Sequence, residues 1–105
     1  MLCVEYELKD LMPDYVQNRH HDAAEIVDAL RRKDFEDVRL IGHTMAGSSE
    51  AYGFARLTRL GRELEQAARQ HAAEDVGRHV DELRRYLRSL KLVYSVPATP
   101  LQTVH

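Results

Sequence analysis

Cysteine occurs once in this 105-residue sequence, at Cys3, so no disulfide can close within the chain and a cysteine-based zinc site is excluded. A single thiol suits a reducing cytosol, and a cytoplasmic location is expected. Glycine is scarce at 5 and proline at 3, and no run alternates apolar with polar residues long enough to suggest a strand. Helices should therefore dominate. No apolar stretch approaches the ~18 residues that span a bilayer, and the N-terminus MLCVEYELKD is acidic where a signal peptide is positively charged. Neither sign of charge prevails: 15 Lys plus Arg face 17 Asp plus Glu, for a net charge of -2. That balance argues against a nucleic-acid binder, which carries a basic face, and against a polybasic membrane anchor. A Gly-rich nucleotide loop is also missing.

What is present reads as one domain with one core, since shorter chains already bury too little surface to support two. Val76, Val80, Leu83, Leu87, Leu90 and Tyr94 recur at spacings of four and three, a stripe along one side of a helix. A second stripe runs Leu57, Leu60, Leu64, Ala67 or Ala68, and His71, with Gly61 beside it where a neighbouring helix can approach closely. A third runs Phe35, Val38, Ile41 or Gly42, Met45, Ser48 or Ser49, and Tyr52. The first long segment opens at Pro13, suited to a helix start, and continues through Val16, Ala23, Ile26, Val27 and Leu30, interrupted by Arg19. Breaks are expected at Lys33–Asp34, with Asp34 as N-cap, at Gly53, and at Ala72–Asp75. Short connections make neighbours antiparallel, which predicts an all-α, up-down-up-down four-helix bundle over residues 1–95. A short extra N-terminal helix is an option over the first ten residues, and 96–105, with Pro97 and Pro100, reads as a flexible tail.

At about 100° per residue, His43 falls nearly opposite the midpoint of Ile41 and Met45, so it faces outward. Arg39, Ala46, Gly47 and Glu50 are its neighbours on that surface. Gly47 is informative because glycine inside a helix costs roughly 1 kcal/mol against alanine. A bare surface beside an exposed imidazole lets another protein bring a reactive group close, and phosphoryl transfer depends chiefly on such positioning. The imidazole would be the nucleophile.

The stretch HTMAGSSEAYGF, from His43 to Phe54, resembles the signature of histidine-containing phosphotransfer (HPt) domains, His-x-x-Lys-Gly followed by small residues and a helix-ending glycine. The flanking DFEDVRLIGH and LTRLGRELEQAA are similar to the adjoining parts of the same family, so the resemblance covers roughly residues 11–94. It implies a four-helix bundle phosphorylated at the outward ring nitrogen of His43. It also implies receiver-domain partners, and a hybrid sensor kinase, docking around that residue, with the metal for transfer held by the receiver. No cofactor is expected on this chain. One position departs from the pattern: Ala46 stands where the family has lysine, and Arg39, one turn the other way, is the candidate replacement cation. Ser48 is a candidate for orienting the His43 ring.

Two readings stay open. One is a freestanding, monomeric phosphocarrier that shuttles a phosphoryl group on His43 between receiver aspartates in a multistep relay, and is not a turnover enzyme. The other is a degenerate bundle that binds a receiver or kinase without transfer, a reading favoured by Ala46. A metal enzyme in a helical bundle would need Glu-x-x-His sets, and none occurs. Metal binding by histidine pairs is not expected either: His20 and His21 point apart on a helix, and His71 and His79 are separated by roughly 12 Å.

Overall fold

A computed structural model describes residues 12–95, with side chains for 14–90. Within that range four helices follow one another: α1 (Met12–Arg31), α2 (Phe35–Ala51), α3 (Ala55–Arg69) and α4 (Ala73–Ser95). Each packs on the two beside it, α1 on α2 and α4, and α3 on α2 and α4, which closes a four-helix bundle. The described residues contain no strand. None of these helices is long and apolar enough to cross a membrane. The additional N-terminal helix and the C-terminal tail considered above lie outside the described residues.

The periodic stripes become the core. Val76, Val80, Leu83, Leu87 and Leu90 of α4 are buried, as are Leu57, Leu60, Leu64, Ala67 and Ala68 of α3. Val38, Gly42, Met45 and Ser49 line the inner side of α2, while α1 contributes Tyr15, Val16, Ala23, Ile26 and Ala29. Fully burying one such Leu or Ile is worth about 1.5–3 kcal/mol.

The three connections are built alike. Each helix ends on a residue in the left-handed region: Lys33 (φ 57°), Gly53 (φ 81°) and His71 (φ 53°). The next amide reaches back five residues, Asp34 to Ala29 at 2.8 Å, Phe54 to Ser49 at 2.9 Å and Ala72 to Ala67 at 2.9 Å. This is the Schellman arrangement, which satisfies carbonyls that a helix end would otherwise strand. The residue that closes one helix then opens the next. Asp34 is the N-cap of α2, accepting from the Asp37 amide at 3.1 Å as expected. Phe54 holds the same position before α3, its ring buried and stacked on Tyr15 with centroids 5.4 Å apart. Two sequence expectations shift here. His71 is no part of the α3 stripe: it is exposed in the turn, stacked on Phe35 at 4.6 Å. Its left-handed backbone ends α3 early, so α4 begins at Ala73, inside the segment read as a break.

Arg19, which interrupts the apolar stripe of α1, is accommodated without being expelled. Its guanidinium lies over the Tyr15 ring, 4.5 Å from the centroid, pairs with Asp22 at 2.8 Å and donates to Ser48 Oγ at 3.1 Å.

Candidate functional site

The helix pair α2–α3 sets the site, and two glycines decide how closely it packs. A Cβ placed on Gly61 would sit 2.8 Å from both the Ala46 nitrogen and the Gly42 carbonyl oxygen. One placed on Gly42 would sit 2.7 Å from the Gly61 carbonyl oxygen and 2.9 Å from the Glu65 nitrogen. Those are backbone atoms, which cannot rotate away, so the approach exists only because both residues lack side chains.

That proximity brings an α3 carboxylate to the imidazole. His43 is exposed, with 69% of its side-chain surface open, and its Nδ1 lies 3.3 Å from Glu65 Oε2 and 3.4 Å from Oε1. Glu65 itself is largely covered, at 15%. The ring's hydrogen bond is with Oε1, while Oε2 accepts from Arg69 Nη2 at 2.9 Å, so one carboxylate serves the ring and a guanidinium together. Nε2 meets no hydrogen-bond partner among the described residues. A neutral imidazole bonded to a carboxylate through Nδ1 carries its proton there, which leaves the Nε2 lone pair facing solvent.

Arg39 occupies the His43 strip as expected, but its guanidinium is engaged. Nε and Nη2 bind the two oxygens of Glu36 at 3.0 and 2.5 Å. The Arg39 hydrogen bond holds the Glu36 carboxyl below its ordinary value and is itself the main reason the Arg39 pKa rises. Glu36 is 65% exposed, so this pair is screened and cheap to break. Glu50 is exposed and paired with Arg62 at 3.1 Å.

Gly47 has open space where its side chain would be, with nothing within 4 Å. It is thus not a packing glycine. Gly47→Ala should raise stability by about 0.5–1 kcal/mol through helix propensity alone. An open surface that serves docking predicts slower labelling from a receiver in that variant with chemical labelling by phosphoramidate unchanged; a receiver-dependent rate equal to that of the wild type would leave the bare surface without a role.

Two expectations need correction. Ala46 is not a surface neighbour of His43: it is only 4% exposed, its backbone pressed against Gly61. Ser48 does not orient the ring, because its hydroxyl meets Tyr15 Oη at 3.1 Å, Arg19 Nη1 at 3.1 Å and the Met45 carbonyl at 3.3 Å. Glu65, which the sequence reading did not single out, takes the place beside the imidazole, with Arg69 bonded to that carboxylate. The only retrospective signal for Glu65 is its spacing on α3: it is four residues beyond Gly61, so it follows the close approach upward by one turn.

Elsewhere, Glu63, His79 and Glu82 form the one group of metal-type ligands among the described residues, about 200° round α3 from Glu65. Arg59 bridges both carboxylates, at 3.0 Å to Glu63 and 2.9 Å to Glu82.

Searches of curated proteins and of solved structures each find no match. A family model described as Hpt domain matches residues 10–92, most of the chain and all of the α2–α3 pair. The bundle, the exposed histidine on α2 and this match agree: the chain belongs to the Hpt domain family, whose members carry out histidine phosphotransfer in two-component signalling.

Proposed function

We propose that His43 is the phosphoacceptor and that the protein carries a phosphoryl group between receiver-domain aspartates in a multistep phosphorelay in the cytoplasm. The observation that carries this reading is the exposed imidazole with Nδ1 on Glu65 and Nε2 open to solvent.

In the forward step the Nε2 lone pair attacks the phosphorus of a receiver's acyl phosphate. The P–N bond forms as the P–O bond to the aspartate breaks, and the carboxylate leaves with the electron pair. The ring then carries a positive charge with its proton still on Nδ1, and Glu65 lies where it offsets that charge. Transfer onward to a second receiver is the reverse displacement, with a different carboxylate as nucleophile. The exposed Leu40, one turn before His43, and the bare Gly47, one turn after, give a receiver a small apolar and sterically open landing area. An interface of this kind suits weak, short-lived encounters.

Arg39 is the cation assigned to the phosphoryl oxygens in place of the family's lysine. It reaches them by exchanging the exposed Glu36 for a dianion, a swap favoured by the higher charge of the phosphoryl group. Arg39→Ala should slow transfer by roughly tenfold, the worth of one charge-assisted hydrogen bond of about 1.4 kcal/mol, without abolishing it. Rates measured by stopped sampling from a phosphorylated receiver check this, and an unchanged rate removes Arg39 from the site.

The test of the whole reading is phosphorylation of the protein by a phosphorylated receiver domain. An acid-labile, base-stable phosphoryl group on His43 is the expected product.

A further inference from the structure

A carboxylate against the imidazole has two opposed effects. It fixes the tautomer with Nδ1 protonated, which exposes Nε2, but its negative charge also favours the doubly protonated ring, which has no lone pair to attack with. The second effect would withdraw the nucleophile from reaction just where the first prepares it.

Arg69 stands at the point where the two effects separate. Its Nη2 lies 2.9 Å from Glu65 Oε2, the oxygen that also faces His43 Nδ1 at 3.3 Å. Arg69 sits in the last turn of α3, one helical turn beyond Glu65, and its side chain is 56% exposed. Its hydrogen bond goes to Glu65 and not to the ring, so it acts on His43 through Glu65.

We infer that Arg69 is a positioning residue that counterbalances Glu65, letting the carboxylate orient the His43 imidazole without holding it in the protonated, non-nucleophilic form. The inference rests on His43 being the reacting group, as proposed above.

The other charges around the ring leave the direct, hydrogen-bonded part of this balance to Glu65 and Arg69. From α2 come Glu36 and Arg39, joined in a two-bonded pair, with Arg39 also within Coulombic range of Glu65 and Glu36 of Arg69, and Glu50, two turns away and paired with Arg62 of α3. From α1 come Arg19 and Asp22, paired with each other and gathered at Ser48, about 140° round α2 from His43. Helix α4 packs on α1 and α3; of its ionisable side chains, those paired with α3 are Glu82, on Arg56 and Arg59, and His79, on Glu63, while Arg78 pairs with Asp75 within the helix. Removing Arg69 therefore takes from Glu65 its directly bonded counter-charge, leaving only the Arg39 of the Glu36 pair nearby; removing Glu65 releases the exposed Arg69 side chain into solvent, where nothing holds it near the ring.

The experiment is an NMR titration of the His43 ring in the full chain, which needs no phosphorylation and no partner. Arg69→Gln should move the protonation midpoint of His43 upward by about 0.3–0.7 pH unit, the size expected of one solvent-screened charge. Arg69→Lys, which keeps the charge, should stay near the wild type. Glu65→Gln should move the midpoint down, and in the Glu65→Gln background Arg69→Gln should lose its upward effect. A midpoint that Arg69→Gln leaves unchanged, or moves equally with and without Glu65, overturns the counterbalance. Folding is not at issue for an exposed side chain in a last turn, and the amide spectrum of each variant shows it directly.

A second arm separates this inference from the functional reading. Labelling of the wild type by phosphoramidate across pH tests His43 as acceptor, and Arg69→Gln should shift the acid limb of that profile upward by the same interval. No labelling of the wild type at His43 overturns the functional reading and with it the proposed purpose of the balance, whatever the titration shows. Labelling with unshifted limbs overturns the role of Arg69 alone.

Discussion

His43→Gln is expected to abolish phosphoryl labelling and to leave the fold as it is. The side chain is exposed and its polar contact is with Glu65, so the substitution touches no core packing, and changes at such sites usually stay within about 0.5 kcal/mol. Glutamine is close in size and can still donate from its amide to Glu65, yet it has no nitrogen lone pair able to form a phosphoramidate of the imidazole type. The paired measurement is a labelling time course and a thermal melt on the same preparation. Lost labelling with an unchanged melt assigns the acceptor to His43. Undiminished labelling sinks the assignment and turns attention to another histidine or to an interaction module that binds without transfer.

Gly61→Ala should destabilise the protein even though it replaces glycine inside a helix. On propensity alone, alanine gains about 1 kcal/mol over glycine in a helix. Here the new Cβ falls 2.8 Å from two backbone atoms of α2, so α3 must move outward along its length, and overpacking of this kind costs about 1–3 kcal/mol, occasionally more. Steric cost exceeds propensity gain because both clashing atoms belong to a rigid helix. A net loss of about 1–2 kcal/mol corresponds to a melting point lowered by roughly 5–15 °C in a domain of this size. Gly42→Ala, with its Cβ 2.7 Å from the Gly61 carbonyl oxygen, should behave alike. Gly47→Ala is the internal control, since the same chemical change in open space should stabilise. If Gly61→Ala proved as benign as Gly47→Ala, the close approach of α2 to α3 would be wrong. The substitution should also separate Glu65 from His43, so slowed transfer is expected alongside the lowered melting point.

The same two glycines show where sequence reasoning stops. Gly61 is legible as a point of helix approach because it borders a stripe of leucines, and Gly42 is legible as one of two candidates for an inward position. The distance between the axes is not, and that distance buries Ala46. A helical wheel puts Ala46 on the His43 surface because it treats the helix as a cylinder in water; the outcome depends on where the second cylinder lies. Ser48 fails for the same reason. Its hydroxyl is equally able to bond toward the ring or toward α1, and Tyr15 and Arg19, more than twenty-five residues away in sequence, claim it. Lys33 and His71 are also opaque, because residues that are neither Gly nor Asn give no local notice of a left-handed backbone.

By itself the sequence determined the four helices, most of their buried faces, the Asp34 cap, the outward direction of His43 and the family. Each depends on spacing along one helix or on a contiguous motif, and 3.6-residue periodicity carries that information without any neighbour. Only the tertiary structure decided what stands beside the imidazole. Glu65 and Arg69 lie twenty-two and twenty-six residues beyond His43, on a helix that an ordinary pair of side chains would hold too far away. The register of α3 against α2 is fixed by packing at Gly42 and Gly61 together with the turn at Gly53, so the charge balance around His43 is a property of the helix pair and of neither helix alone.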